Sequence, residues 1–174
     1  MNLEILHFVQ NDRKEIMDEV LAFILKDTFT LISLKHRVRI LKSYLDEKLF
    51  GKTEKELLES SDRDWLNSLP SQLLEKFNKD NLLSQTSELE NKLKELKVLT
   101  LYLAFEVTDQ AAYSLGARAR ALFNPTLLLD IKFNPSLVAG CALVWKGIYK
   151  DYSLRSRIDQ NHEQILSSLK SFSA

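Results

Sequence analysis

Apolar residues recur at three- and four-residue steps through the first half of the chain and change to near-alternation after Lys97. The first rhythm predicts helices and the second predicts strands. Asn11 or Asp12 stands where a helix cap is needed before Ile16, Val20, Phe23 and Ile24, which share one face. Asp27 or Thr28 can cap the next helix, where Leu31, Leu34, Val38, Leu41, Leu45 and Leu49 form one stripe and Gly51 supplies the stop. Shorter pieces follow. Thr53 with Glu56 has capping-box spacing ahead of Leu57 and Leu58. Asp62 can cap a turn that holds Trp65, Leu66 and Leu69, and Pro70 can open a piece with Leu73, Leu74 and Phe77. A last helix is expected from about Ser84 or Thr86 through Leu89, Leu93 and Leu96. Helices this short bury too little alone, so residues 1–96 are expected to pack as an all-helical bundle.

From residue 97 to 174 the expectation is a small α/β domain, which makes the fold class α+β. Val98 to Val107 reads as a strand, mixing aliphatic, aromatic and β-branched residues. Thr108 or Asp109 can cap a helix over Ala111 to Phe123, which Asn124-Pro125 ends. Leu127 to Phe133 alternates as a second strand, and Asn134-Pro135-Ser136 is a turn. Leu137 to Trp145 reads as a third strand that bends at Lys146-Gly147 into a short continuation through Ile148 and Tyr149. Ser153 then caps a final helix bearing Leu154, Ile158, Ile165, Leu169 and Phe172. The expected order is β-α-β-β-α, with a helical crossover between the first two strands and a hairpin after it.

Composition narrows the function classes. The 174 residues are 45% hydrophobic and 28% charged, the balance of a folded globular chain rather than a disordered one. Formal net charge is +0, without the basic excess with which nucleic-acid binders displace counterions. Cys141 is the only cysteine, so there is no intrachain disulfide and no cysteine-rich zinc site. No apolar run approaches the ~20 residues that span a bilayer, and Met1 to Gln10 lacks a basic leader and a cleavage site. Membrane association is therefore expected only through a partner.

One stretch carries a family pattern. Phe133-Asn134-Pro135-Ser136-Leu137-Val138-Ala139-Gly140 resembles an Asp-Pro-Ser-Leu-Ile-Gly-Gly turn and strand. Gly147-Ile148-Tyr149-Lys150-Asp151-Tyr152-Ser153-Leu154-Arg155-Ser156-Arg157-Ile158 resembles a Gly-x-x-x-x-Asp-x-Ser-Leu-Arg-x-x-Leu continuation. Both belong to the C-terminal signature of the delta subunit of F-type ATP synthases, the family that includes the oligomycin-sensitivity-conferring protein. Asn134 stands for the family's Asp, and Ala139 for the first Gly of its pair. The resemblance covers roughly Leu127 to Ile158; the first 95 residues match in character only. It implies a non-catalytic stator subunit, peripheral on the cytoplasmic face of the membrane. The helical bundle would grip the N-termini of the alpha subunits, and the α/β domain would hold the C-termini of the b subunits. The E subunit of vacuolar and archaeal ATPases has a similar ending, but its N-terminal part is expected as one very long helix. A small stand-alone α/β enzyme is the reading from another class.

The residues of the pattern have physical roles of their own. Asn134 before Pro135-Ser136 can bond its following backbone and set a tight turn. Gly140 allows another backbone to approach closely. Asp151 and Ser153 bracket a helix start at Leu154, where acceptors satisfy free N–H groups. Leu137 and Gly147 complete the set. These are expected as structural residues, with no catalytic, metal-ligating or cofactor-binding residue assigned. His7, His36 and His162 lie far apart with no ligand-spaced carboxylate or cysteine near them. No phosphate-binding glycine motif occurs, and no nucleophile-elbow pattern surrounds Ser153. Two basic groups stand out: Lys35, His36, Arg37, Arg39 and Lys42 on one helix, and Arg118, Arg120, Arg155 and Arg157 in the second domain. The first is either a solvated helix face or a contact for an acidic partner helix. Trp145 and Tyr149, flanking Gly147, are either core residues or exposed anchors for a partner.

Overall fold

The computed structural model describes residues 16–51 and 59–172. The expected caps at Asn11 or Asp12 and at Thr53 with Glu56, the apolar pair Leu57 and Leu58, and His7 lie outside them. The molecule is α+β, with helices in its N-terminal part and a small sheet in its C-terminal part. It divides into two compact units. Among the described residues, one contains 16–28, 32–51 and 59–96, and the other Phe29–Leu31 and 97–172.

The first unit is helical. Residues 16–26 form α1. It is followed by α2 (Leu31–Phe50), α3 (Ser60–Asn67), α4 (Ser71–Glu75) and α5 (Leu82–Lys94). The stripe on α2 buries Leu34, Val38, Leu41 and Leu45, and Ile40 widens it. Met17, Val20 and Ile24 of α1, Leu66 of α3, Leu73 of α4, and Leu82 and Leu89 of α5 complete a core from which water is excluded. Gly51 ends α2 in a left-handed conformation (φ +66°), and its N–H donates to Glu47 O at 2.9 Å.

Three expected helix starts are placed differently. α2 starts at Leu31, so Thr30, rather than Asp27 or Thr28, stands directly before it. Thr28 is fully buried, and its hydroxyl donates back to Ile24 O at 2.5 Å. Asp62 lies in the first turn of α3 rather than at its cap, which is Glu59. α5 starts at Leu82, upstream of Ser84. The cause is a reciprocal asparagine turn: Asn78 Oδ1 accepts from the N–H groups of Asp80 and Asn81 at 3.0 and 2.9 Å, and Asn81 Oδ1 accepts from Asn78 N–H at 2.8 Å.

The second unit holds a four-stranded sheet of β1 (Val98–Leu103), β2 (Leu128–Phe133), β3 (Cys141–Trp145) and β4 (Ile148–Asp151), in spatial order β2-β1-β3-β4. β1 and β2 are parallel, joined by α6 (Asp109–Leu122), and β1–β3 and β3–β4 are antiparallel. The hairpin therefore joins β3 to β4, not the second strand to the third. The expected continuation after Gly147 is a strand of its own. It forms because Lys146 (φ 51°) and Gly147 (φ 78°) make a two-residue turn with both φ values positive, whose twist matches paired strands. The third strand starts at Cys141 because Pro135–Leu137 is a 3-10 turn. β1 ends at Leu103, short of Val107. The final helix is split into α7 (Leu154–Gln160) and α8 (His162–Phe172) at Asn161, which leaves helical geometry and whose Nδ2 donates to Arg157 O at 2.8 Å.

Phe29–Leu31 extends the sheet beside β2. Thr30 forms a parallel bridge with Leu129, and Leu129 N–H donates to Phe29 O at 2.8 Å. The Phe29 ring meets Tyr113 of α6 edge-on at 4.6 Å, and the Arg120 guanidinium lies 4.4 Å over it. Gly116 is what lets α6 come this close, since a Cβ there would sit 2.3 Å from Phe29 Cβ.

Candidate functional site

Most of the pattern from Asn134 to Leu154 assembles into one junction. Asn134 Oδ1 accepts from Ser136 N–H at 3.2 Å and from its hydroxyl at 2.6 Å, while Asn134 N–H donates to Leu103 O at 2.7 Å. That holds Pro135 at the start of the 3-10 turn and drives Leu137 into the interior, 4% exposed. The chain then reverses at Val138 (φ 67°, ψ −54°), where Ala139 N–H donates to Leu137 O at 2.8 Å. This is a γ-turn of the strained, positive-φ kind, held by a β-branched residue. Gly140 follows with φ +82°, and a Cβ on it would lie 2.6 Å from Tyr152 O. The close approach expected at Gly140 is thus the passage of the Tyr152-Ser153 backbone, just outside the strand rather than within it.

The other side of the junction is the start of α7. Asp151 Oδ1 accepts from Ser153 N–H at 2.8 Å, and the fully buried Ser153 caps α7 by accepting from Ser156 N–H at 3.2 Å. Leu154 N–H donates to Ala139 O at 2.8 Å, and Tyr152 N–H donates to Cys141 O at 2.9 Å. The Ser153 hydroxyl and backbone N–H, the Tyr149 hydroxyl and nearby Arg155 hold the Asp151 carboxyl below its ordinary range. Asn134, Pro135, Ser136, Leu137, Gly140, Asp151, Ser153 and Leu154 therefore meet in one place. Gly147 does not; it sits at the β3–β4 turn, where no heavy atom of the described residues lies within 4 Å of an added Cβ. The junction's donors and acceptors are used on one another, so its chemistry is that of a fastening.

The two aromatic candidates separate. Register puts Trp145 opposite Ile148, and Tyr149 opposite Val144, on the other face of the sheet. The Tyr149 hydroxyl donates to Asp151 Oδ2 at 3.3 Å, and partial desolvation with the Asp151 charge raises its pKa. Trp145 lines an apolar cleft of about 280 Å³ with Leu99, Leu143, Ile148, Lys150 and Tyr152. No sequence expectation singled out this cleft. Its signal was present as Leu143, Trp145 and Ile148, which fall on one face only when Lys146-Gly147 is read as a turn.

The basic groups are largely engaged within their own units. His36 Nε2 donates to Asp62 Oδ1 at 3.0 Å, while Arg39 Nη2 lies 3.2 Å from His36 Nδ1. Arg37 Nη1 donates to Thr28 Oγ1 at 2.8 Å, its guanidinium lies 5.2 Å over Trp65, and burial lowers its pKa. Lys42 pairs with Glu90. In the second unit Arg120 Nε donates to Leu127 O at 2.8 Å, tying the end of α6 to the approach of β2. His36 is thus a bridging residue of the bundle, whereas His162 opens α8 on the surface. Among the described residues no group of three or more His, Cys, Asp or Glu side chains could hold a metal ion, and no helix is long and apolar enough to cross a membrane.

Compared with known proteins, the chain matches no family model, and no curated protein matches it.

Proposed function

We propose that this chain is a non-catalytic peripheral-stalk subunit of a proton-translocating F-type ATP synthase. It joins the b subunits to the alpha subunits of the catalytic head and is held at the cytoplasmic face of the membrane through that complex. The observation that carries the reading is the junction. The residues that resemble the delta-subunit signature converge on a turn, a close backbone crossing and a capped helix, held by the Leu154-to-Ala139 and Ser153-to-Asp151 hydrogen bonds. A signature that specifies a fastening suits a part that resists torque.

Two further observations favour this over the alternatives. The described N-terminal residues form several helices, the longest Leu31–Phe50, rather than the single long helix expected of an E-type stalk subunit. The cleft of the second unit is lined by aliphatic and aromatic side chains, Tyr152 among them, and one lysine, rather than the clustered acids, bases and nucleophiles of an enzyme site. The test is co-purification of the full chain with its genome's own alpha and b subunits. Capture of both is expected, with alpha lost on deleting the helical unit and b lost on deleting residues 97–174. Capture of neither sinks the reading.

A further inference from the structure

We infer that the outer edge of β4 takes up an extended peptide segment as an added, antiparallel strand of the sheet. The inference goes beyond the stator reading and does not rest on it. The two edges of the sheet differ. Beside β2 the chain lays its own Phe29–Leu31, with Thr30 bridged to Leu129. Among the described residues nothing pairs with the outer side of β4, and all four of its residues are exposed. The strand's hydrogen-bond parity can be read from its end, where Tyr152 N–H donates to Cys141 O at 2.9 Å. In an antiparallel pair the inward bonds fall on every second residue, so Lys150 and Ile148 bond inward to Leu143 and Trp145. Tyr149 and Asp151 therefore point their N–H and C=O groups away from the sheet. Two donors and two acceptors repeated at ~7 Å match another extended chain. A helix, whose backbone bonds are already made, offers them nothing.

The side chains of β4 fix what the segment carries. Residues directly opposite in an antiparallel pair lie ~5 Å apart, so each β4 side chain reads the one facing it. Among the described residues the Lys150 ammonium makes no ion pair or hydrogen bond, and it favours a carboxylate opposite. Asp151 favours a cation, and Ile148 and Tyr149 favour β-branched side chains. Read antiparallel to β4, the segment thus carries a base, an acid and two β-branched residues in that order. A second copy of this chain is a poorer occupant. Pairing two β4 strands about Lys150 sets two ammoniums face to face. Pairing them about Tyr149 sets Ile148 against Lys150 and Asp151 against Gly147, so neither register matches opposite charges.

The test is fluorescence anisotropy of a labelled Thr-Lys-Glu-Val-Val-Thr peptide titrated with the full-length chain. Saturable binding is expected, with slower amide hydrogen exchange at Tyr149 and Asp151. A methyl group on the nitrogen of the first valine, which faces Tyr149, removes a bond to the edge and should weaken binding by at least about tenfold. The same methyl on the glutamate nitrogen, which points away from β4, should change binding by less than about twofold. Lys150→Glu should weaken binding about fivefold, more steeply at low salt. A peptide with its glutamate changed to lysine should recover affinity for that variant. Lys35→Glu, in the helical unit, should leave binding unchanged. The methylated peptides leave the protein untouched, so they decide the matter even if Lys150→Glu folds poorly. No saturable binding, or equal losses from the two methylated peptides, overturns the inference. Sedimentation showing the chain alone to be a dimer that Tyr149→Pro splits overturns it in favour of a second copy. Either result leaves the stator reading standing, because capture of the alpha and b subunits is measured separately.

Discussion

The two units spend their apolar residues in opposite ways. The helical unit closes: among its described residues only Ile32, Phe50 and Leu83 are large apolar side chains left exposed. The α/β unit stays open, with Phe105, Leu122, Phe123, Phe133, Val138 and Ile148 all more than half exposed. The difference follows from geometry. Each helix of the first unit has one apolar stripe, and a bundle lets every stripe face inward. A sheet has two faces, and its helices must cover both. Here α6 contacts β2 and α7 contacts the 3-10 turn, while the face carrying Leu143 and Trp145 keeps its cleft. Contiguous exposed apolar surface of this kind marks an interaction site. Closure therefore provides stability in one unit, while the other leaves an apolar cleft open among the described residues.

The largest test sets truncation in one unit against truncation in the other. Each unit holds one of the two tryptophans, Trp65 and Trp145, so variants keeping only one report on one unit. Leu41→Ala, at a site 2% exposed, should lower the stability of the helical unit by about 3 kcal/mol in urea unfolding followed at Trp65. Leu122→Ala, at 78% exposed, should change the Trp145 transition by less than about 0.5 kcal/mol. Equal losses would mean that the α/β unit is as closed as the bundle.

A second comparison lies within the open unit, between two glycines of similar conformation. Gly140→Ala meets Tyr152 O at 2.6 Å in addition to its φ of +82°, and should cost about 3 kcal/mol as the junction shifts. Gly147→Ala has φ +78° but open space, and should cost about 1 kcal/mol. If thermal melts rank them the other way, the junction is not the fastening that holds α7.

Gln85 is the flaw in the closed unit. It is 1% exposed on α5, and among the described residues its Oε1 has no hydrogen-bond partner. Desolvating an unpaired carbonyl costs more than an apolar group of similar volume would. Gln85→Met should therefore raise the stability of the helical unit by about 1 kcal/mol in urea unfolding. A loss of that size would show that the amide is held by a bond that the apolar replacement breaks.

How much of this was legible in the sequence differs between the units as well. The α2 stripe and its Gly51 stop were readable because one period and one left-handed residue define them. The start of α5 was not, because Asn78 and Asn81 bond each other's backbone, and that reciprocity has no periodic signal. In the α/β unit, the Asn134 turn, the close approach at Gly140 and the Ser153 cap were readable as local chemistry. The strand order was not, since pairing β1 between β2 and β3 is a long-range choice. Phe29–Leu31 was invisible for the same reason: it reads as a helix approach, and only its bridge to Leu129 makes it part of the sheet.

The smallest expected effect probes the junction by pH. Asp151 is held below its ordinary pKa in the folded chain, first by the Ser153 hydroxyl and then by its N–H, Tyr149 and Arg155. A depressed folded value means that the unfolded state takes up the proton first as pH falls. The contribution to stability is then fully present above the unfolded carboxylate value of about 3.9. It is lost as pH falls from there through the folded value. Asp151→Asn keeps the acceptor for Ser153 N–H but cannot titrate, so its Trp145-monitored melting temperature should vary less with pH below about 4 than that of the parent. Near neutral pH it should melt slightly lower, because a neutral amide is a weaker acceptor than a carboxylate. The helical unit, followed at Trp65, should keep its acid profile unchanged, since Asp151 belongs to the other unit. Parallel acid profiles for parent and variant at Trp145 would show that Ser153 caps α7 without help from the carboxylate charge. The fastening would then rest on the backbone crossing at Gly140, the Leu154-to-Ala139 hydrogen bond and the Ser153 hydroxyl cap.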